Sequence, residues 1–358
     1  MAPTSPIDAA FGAMLGAFVG DATGAVLEFD EKHICAETVE RALTMPGGGV
    51  WGVGPGQITD DSELAMALAT GLSGHEPAAG FPAEAVAQKY GAWLESHPFD
   101  VGNTCRTAFS AALHHKDEDG PLAPAMRKQS QFSRGSKSNG SLMRITPLAV
   151  WGCRLSDEDL AAAAVEDARL SHPNEVTQQT TAIYCIAIKH LIANPGDADG
   201  AIAAASAWAA GHACEEVAGW LRDALGSEPG PAVDRHIGFV RYGFFYAFRH
   251  LKLRTQYREA LREVLLLKGD TDTNAAIVGG LLGALHGASG IPQHMAAAVL
   301  GRLGQADARG PKRPDWLQPG KLPVLFAELY GRATGTAVDV QALPGVPPAA
   351  AADAGAAC

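Results

Sequence analysis

The 358-residue sequence contains no C-x-x-C pair, no apolar run long enough to cross a bilayer, and few aromatic or charged side chains. Its six cysteines lie far apart, from Cys35 to Cys358, which excludes a dense disulfide scaffold and a zinc finger and reads as reduced thiols of a cytoplasmic protein. The first apolar stretch, Phe11 to Val19, ends just ahead of Asp21, whereas a membrane span needs about 20 residues. The opening MAPTSPIDAAFG lacks the basic segment of a secretory signal. Aromatic residues make up only 7%, which leaves little material for base-stacking platforms. Lysine and arginine are outnumbered, 28 to 39, and the net charge of −11 argues against a nucleic-acid partner.

What is present is helical patterning. Apolar residues recur at spacings of three and four over 62–72, 158–168, 178–193, 201–225, 256–267 and 273–287, and alternating strand patterns are almost absent. Short Gly/Pro breaks, such as MPGGGVWGVGPG at 45–56, punctuate these runs without separating two compositional regimes. The expected fold is all-α, a compact single-domain helical bundle over 8–338, with a low-complexity, disordered tail at 339–358. A monomer is expected.

Two of the helical stretches carry an unusual load of glycine. In FGAMLGAFVGDATGAVLE glycines fall at 12, 16, 20 and 24, and in TNAAIVGGLLGALHG at 279, 280, 283 and 287. Each glycine inside a helix costs about 1 kcal/mol relative to alanine. Close approach of two backbones is the usual compensation, so these two helices are expected to cross tightly. Both adjoin carboxylates, Asp21 and Glu28 in one case, Asp270 and Asp272 in the other.

The polar clusters Thr59-Asp60-Asp61 and Asp270-Thr271-Asp272-Thr273 each stand immediately before a helical run. One acidic residue there is an ordinary cap. Two in each cluster exceed that need, and four carboxylates brought together call for neutralising cations. Oxygen-only donors select Mg²⁺, Mn²⁺ or Ca²⁺ over zinc. The loop FSRGSKSNGSLMR (132–144) offers small residues whose backbone N–H groups can cradle phosphate, although it is not a Walker A loop. HPFDVGNTCR (97–106) and Ser171-His172-Pro173-Asn174 are further polar turns.

Taken in order, GDATGAVLEF, GQITDDSE, GSKSNGSLMR, LSHPN and GDTDTNAAIVGG resemble the ADP-ribosylglycohydrolase, or DraG-like, family from about Phe11 to Gly287. Within it, PGQITDDSELAMALA and FDVGNTCR are similar to the dinitrogenase reductase-activating glycohydrolases. The resemblance implies an all-helical enzyme that removes ADP-ribose from modified side chains with two divalent metals, Mg²⁺ or Mn²⁺. It implies metal ligation by Thr59, Asp60 and Asp61 on one side and by Asp270, Asp272 and Thr273 on the other. Glu28 and Asp100 are then the carboxylates for proton transfer. Gly135, Ser136, Lys137 and Asn139 fall along the pyrophosphate and the adenine-bearing ribose, and His172 at the phosphates or ribose. Gly102 and Asn103 approach the distal ribose. Ser138 and Ser141 stand where the family commonly has glycine, and Lys137 where some members carry an aromatic ring, so adenine stacking falls to Phe132. Residues 226–255 match no motif of the family.

The implied activity is metal-dependent hydrolysis of the C1″ N-glycosidic bond to arginine in an ADP-ribosylated protein, with ADP-ribose as product. Serine-linked, polymeric or small-molecule-linked ADP-ribose, and a non-enzymatic ADP-ribose-binding relative, are the alternatives. A plain two-carboxylate glycosidase is the rival mechanism, and it leaves four clustered aspartates without a role.

Overall fold

A computed structural model describes residues 5–115, 120–233, 236–302 and 313–348. These residues form α- and 3₁₀-helices, with no strand among them and only two isolated bridges, Gly48 to Val53 and Ser138 to Phe239. The all-α expectation holds. No described helix is long and apolar enough to cross a membrane.

The first helix, Pro6–Gly24, begins where Ser5 accepts the Asp8 N–H and proline occupies the first turn. From Ala9 to Gly24 every residue is buried, so this helix has no solvent face and runs through the centre of the protein. The helix Thr271–His286 is buried just as completely through Leu285. The two cross as the glycine spacing predicts, antiparallel and in register. A Cβ placed on Gly12 would lie 2.2 Å from the Gly283 carbonyl oxygen, on Gly16 2.2 Å from that of Gly279, and on Gly20 2.1 Å from that of Ala275. At the last rung a Cβ on Gly24 would lie 2.4 Å from the Cα of Asp272. Only glycine permits that approach.

Two tyrosines bind to the crossing from outside: Tyr257 donates to the Gly16 carbonyl and Tyr184 to that of Ile277, each at 2.7 Å. Because the helices are antiparallel, the end of the first and the start of the second share one end of the bundle. Asp21 and Asp272 therefore meet. The helix Asp60–Leu72 also starts at this end and carries Asp60 and Asp61 in its first turn. One contiguous hydrophobic core, including Phe11, Phe18, Trp93, Trp151 and Phe244, surrounds the central pair.

The C-terminal segment departs from expectation. Rather than a structureless tail from 339, Val340–Ala342 form a 3₁₀ turn and Leu343 packs into the core. Val338 and Val346 pack against the core on either side of it. Residues 349–358 of that expected tail lie outside the described residues.

Candidate metal centre and binding cleft

At the shared end of the central helices, carboxylate oxygens of Asp21, Asp61 and Asp272 lie within 4.8 Å of one another, and so do those of Glu28, Asp270 and Asp272. Asp272 belongs to both groups. Like charges about 4 Å apart repel by roughly 4 kcal/mol at an effective dielectric of 20. Burial, reinforced by this repulsion, pushes Asp60, Asp61 and Asp272 well above the usual carboxylate range. Burial raises Asp21 to about 6, and burial with the charges of Asp100 and Asp270 raises Glu28 to about 8. Such a site holds either protons or cations. One Asp61 oxygen, Oδ1, is buried with no hydrogen-bond partner, as a ligand atom awaiting a cation would be. The donors are all oxygen, and they fit hard divalent ions.

The remaining polar groups hold these acids in place. Asp21 accepts from the backbone N–H groups of Thr59 and Ser62, at 3.1 Å each, and from Thr59 Oγ1 at 2.8 Å. Thr59 is fully buried, its hydroxyl also 3.2 Å from Asp61, and Thr273 approaches the same Asp61 oxygen at 3.4 Å. Asp60 points into the cleft and accepts from Gly102 N–H at 3.3 Å, which ties the 100–103 turn to the acidic end. Asn139 donates through Nδ2 to Asp270 at 2.7 Å. Trp51 Nε1 donates to Glu28 at 2.6 Å. Asp100, raised to about 6 chiefly by burial, lines the cleft beside Asn103.

A cavity of about 450 Å³ opens above the acids and also touches Phe29, Thr104, Asn139 and His172. A second cavity of about 630 Å³ adjoins it through Ser138, Ile237 and Gly238, and is lined by Gly135, Ser136, Lys137 and Phe239. Acids thus stand at one end of a continuous cleft and an aromatic ring at the other. The loop 132–144 does border this cleft, but its backbone is less available than its small residues suggest. Ser136 N–H bonds to Ser133 at 2.8 Å and Asn139 N–H to Gly238 at 3.0 Å. The Lys137 ammonium is paired with Glu216 at 2.7 Å. His172 is fully buried, and burial holds its imidazole well below the usual histidine range, hence neutral.

Phe132 is placed differently from expectation. It stands on a 3₁₀ turn at Gln131–Ser133, is 81% exposed, and lines neither cavity. The ring that does line the outer cavity is Phe239, braced edge-on by Trp220 and Tyr242. It lies in the stretch 226–255 that matched no motif, where only the run of aromatics marked it. Asp21, which the sequence marked only as a carboxylate beside the first glycine stretch, is the other addition to the site.

Comparison with known proteins identifies the family. The family model for ADP-ribosylglycohydrolase matches residues 2–331. The ADP-ribosyl-[dinitrogen reductase] glycohydrolase of Rhodospirillum rubrum is 30% identical over 296 residues, covering 80% of this chain and 88% of that protein. The ADP-ribosylarginine hydrolase Tri1 of Pseudomonas putida (strain GB-1) is 26% identical over 302 residues, covering 82% of this chain and 74% of that protein. A solved structure titled ADP-ribosylglycohydrolase-related protein complex superposes with a TM-score of 0.70 at 22% identity, over 92% of this chain and 99% of that one, which shows the shared fold. The chain belongs to the ADP-ribosylglycohydrolase family.

Proposed function

We propose that the protein is a metal-dependent hydrolase that removes mono-ADP-ribose from arginine side chains of modified proteins by cleaving the C1″ N-glycosidic bond. The observation that carries this reading is the pair of three-acid clusters sharing Asp272 at one end of a two-chambered cleft. Asp21, Asp61 and Asp272 would hold one divalent cation and Glu28, Asp270 and Asp272 a second, as Mg²⁺ or Mn²⁺, with Thr59, Thr273 and Asp60 adding oxygens around them. Such ions supply charge neutralisation and Lewis acidity toward oxygen ligands. In this reading the distal ribose would lie at the acids, the diphosphate along 135–139, and adenine against Phe239.

Hydrolysis adds a water oxygen to C1″, breaks the C1″–N bond, and delivers a proton to the departing guanidine. Asp100, at the cleft wall, is the group that would move that proton, while Glu28, which the resemblance offered for the same role, is held by Trp51 among the second set of ligands. Asp100 also presents a carboxylate to a planar cation, which a guanidinium satisfies in a two-point contact and a serine hydroxyl does not. Arginine as the linked residue is supported by the Pseudomonas putida relative, an ADP-ribosylarginine hydrolase.

The test is release of ADP-ribose from arginine-modified and serine-modified peptides, each with and without added Mg²⁺ or Mn²⁺. Metal-dependent release from arginine alone is expected. Equal rates on the two linkages would remove the arginine assignment, and release unaffected by chelation would remove the metal assignment.

A further inference from the structure

Three loops bring aromatic rings together at the acidic end of the cleft. Trp51 stands between Phe29 and Phe99, edge-on to both, with ring centres 5.8 Å apart in each pair. Phe29 follows Glu28 in the chain and Phe99 precedes Asp100, so each of these rings belongs to a turn that also carries a cleft carboxylate. The indole N–H of Trp51 is committed to Glu28. The loop bearing Trp51 is pinned at both ends. Gly48 and Val53 exchange backbone hydrogen bonds at 2.6 and 2.9 Å, and a Cβ on Gly49 would lie 2.4 Å from the Val26 carbonyl oxygen.

Phe29 is the anomaly in this cluster. Its φ is +60°, in the left-handed region that a bulky side chain rarely adopts, and the residue is 54% exposed. Backbone strain persists where the surroundings impose it, and it concentrates at binding and catalytic sites. Burial does not offset it here, because the ring borders the inner cavity and stays open to solvent. Val50, next to Trp51 in the chain, is 49% exposed. Six large apolar side chains are exposed among the described residues, and these two stand beside the same indole. Single exposed apolar residues need no explanation, whereas an apolar group at the mouth of a cavity marks an interaction surface.

We propose that Phe29, Val50, Trp51 and Phe99 form a docking lip for the polypeptide that carries the modified arginine, and that the lip takes segments with apolar residues beside that arginine. The inference rests on the arginine-linked reading above and adds to it a preference for sequence context. Position carries the argument. The outer cavity receives the far end of the ligand, so the residue bonded to C1″ leaves through the mouth of the inner cavity, where Phe29 and Asp100 form part of the wall. Asp100 faces the guanidinium, and Phe99, Trp51, Phe29 and Val50 cover the side chains on either side of it. Aromatic rings suit that task, because they offer a large contact area with few rotatable bonds. The pinned loop and the strained turn hold the lip in shape before the partner arrives, which lowers the ordering cost of docking.

Two ADP-ribosylarginine peptides test it, one with leucine on both sides of the modified residue and one with alanine there, each cleaved by the full-length, Mn²⁺-loaded protein. Wild-type kcat/KM should favour the leucine peptide about tenfold, through KM, with kcat within about twofold between the two. Phe29→Asn removes the ring and supplies a residue that tolerates left-handed backbone, so it should fold and should erase most of that preference. Val50→Ser should reduce the preference, and Phe29→Tyr, which keeps a ring, should retain it. Pairing one enzyme side chain with one peptide side chain makes the comparison a double-mutant cycle, in which a general loss of activity or stability cancels. No preference in the wild type, or a preference untouched by Phe29→Asn and Val50→Ser, would overturn the lip and leave the hydrolase reading standing. Failure of the wild type to cleave either peptide would remove the arginine reading and the lip with it. Light scattering that showed a wild-type dimer dissociated by Phe29→Asn would assign the surface to a second copy of this chain instead.

Discussion

Asp21 caps a helix to which it does not belong: its carboxylate accepts the Thr59 and Ser62 N–H groups, while the Thr59 side chain makes no cap of its own. A residue on the central helix thereby fixes where the helix bearing Asp60 and Asp61 begins. Asp21→Asn keeps the shape but loses a charge and turns one acceptor into a donor. We expect divalent affinity to fall about tenfold or more, in the range seen when groups supporting metal ligands are changed. Calorimetric Mn²⁺ titration measures it, and wild-type affinity would place Asp21 outside the metal environment.

The sharing of Asp272 predicts stoichiometry. Asp272→Ala should abolish tight binding of both ions, whereas Asp61→Ala and Asp270→Ala should each retain one. All three should lose nearly all hydrolysis. Native mass spectrometry or equilibrium dialysis reads the count, and two tightly bound ions in Asp272→Ala would refute a bridging role.

The acids also predict how metal-free protein responds to pH. Their folded-state values lie above the unfolded values near 4, so between the two the folded form binds more protons. The stabilisation this gives is fully present below the unfolded value and is lost as pH rises, through about 6 for Asp21 and Asp100 and about 8 for Glu28. Chelated protein should therefore melt at a lower temperature at pH 8 than at pH 5.5, and added Mn²⁺ should raise the melting temperature more at pH 8. A flat profile with and without metal would contradict the clustering.

Two glycines should behave in opposite ways. Gly16→Val drives a side chain into the Gly279 carbonyl and should cost about 3 kcal/mol or more, seen as a lowered Tm or loss of folded protein. A Cβ at Gly135 meets nothing within 4 Å, so Gly135→Val should fold normally, retain its metals and bind ADP-ribose more weakly. Thermal melts and ligand titration separate the two effects.

Asp100→Asn should leave metal binding intact and sharply lower cleavage of arginine-linked ADP-ribose, because the amide cannot pair with a guanidinium as a carboxylate does. Steady-state kinetics on a modified arginine peptide provide the measurement. Wild-type kcat/KM would assign Asp100 to the turn alone.

Local order was legible in the sequence because helical periodicity and glycine spacing are local properties of the chain. The four-residue glycine repeat announced a tight crossing, and the paired aspartates before two helices announced an acidic cluster. The five ordered motifs pointed to the family. Which acids meet was decided only by tertiary structure. The antiparallel register of two helices more than two hundred residues apart brings Gly24 against Asp272, and with it Asp21 into the acidic cluster, although no local signal distinguished Asp21 from a lone buried aspartate. The same holds at the outer end of the cleft. Phe132 sits just ahead of a recognisable motif yet faces solvent, while Phe239, in a segment without one, is carried to the cleft by pairing of its backbone with Ser138. A motif fixes the residues available at a site, and long-range packing fixes the direction in which each side chain points.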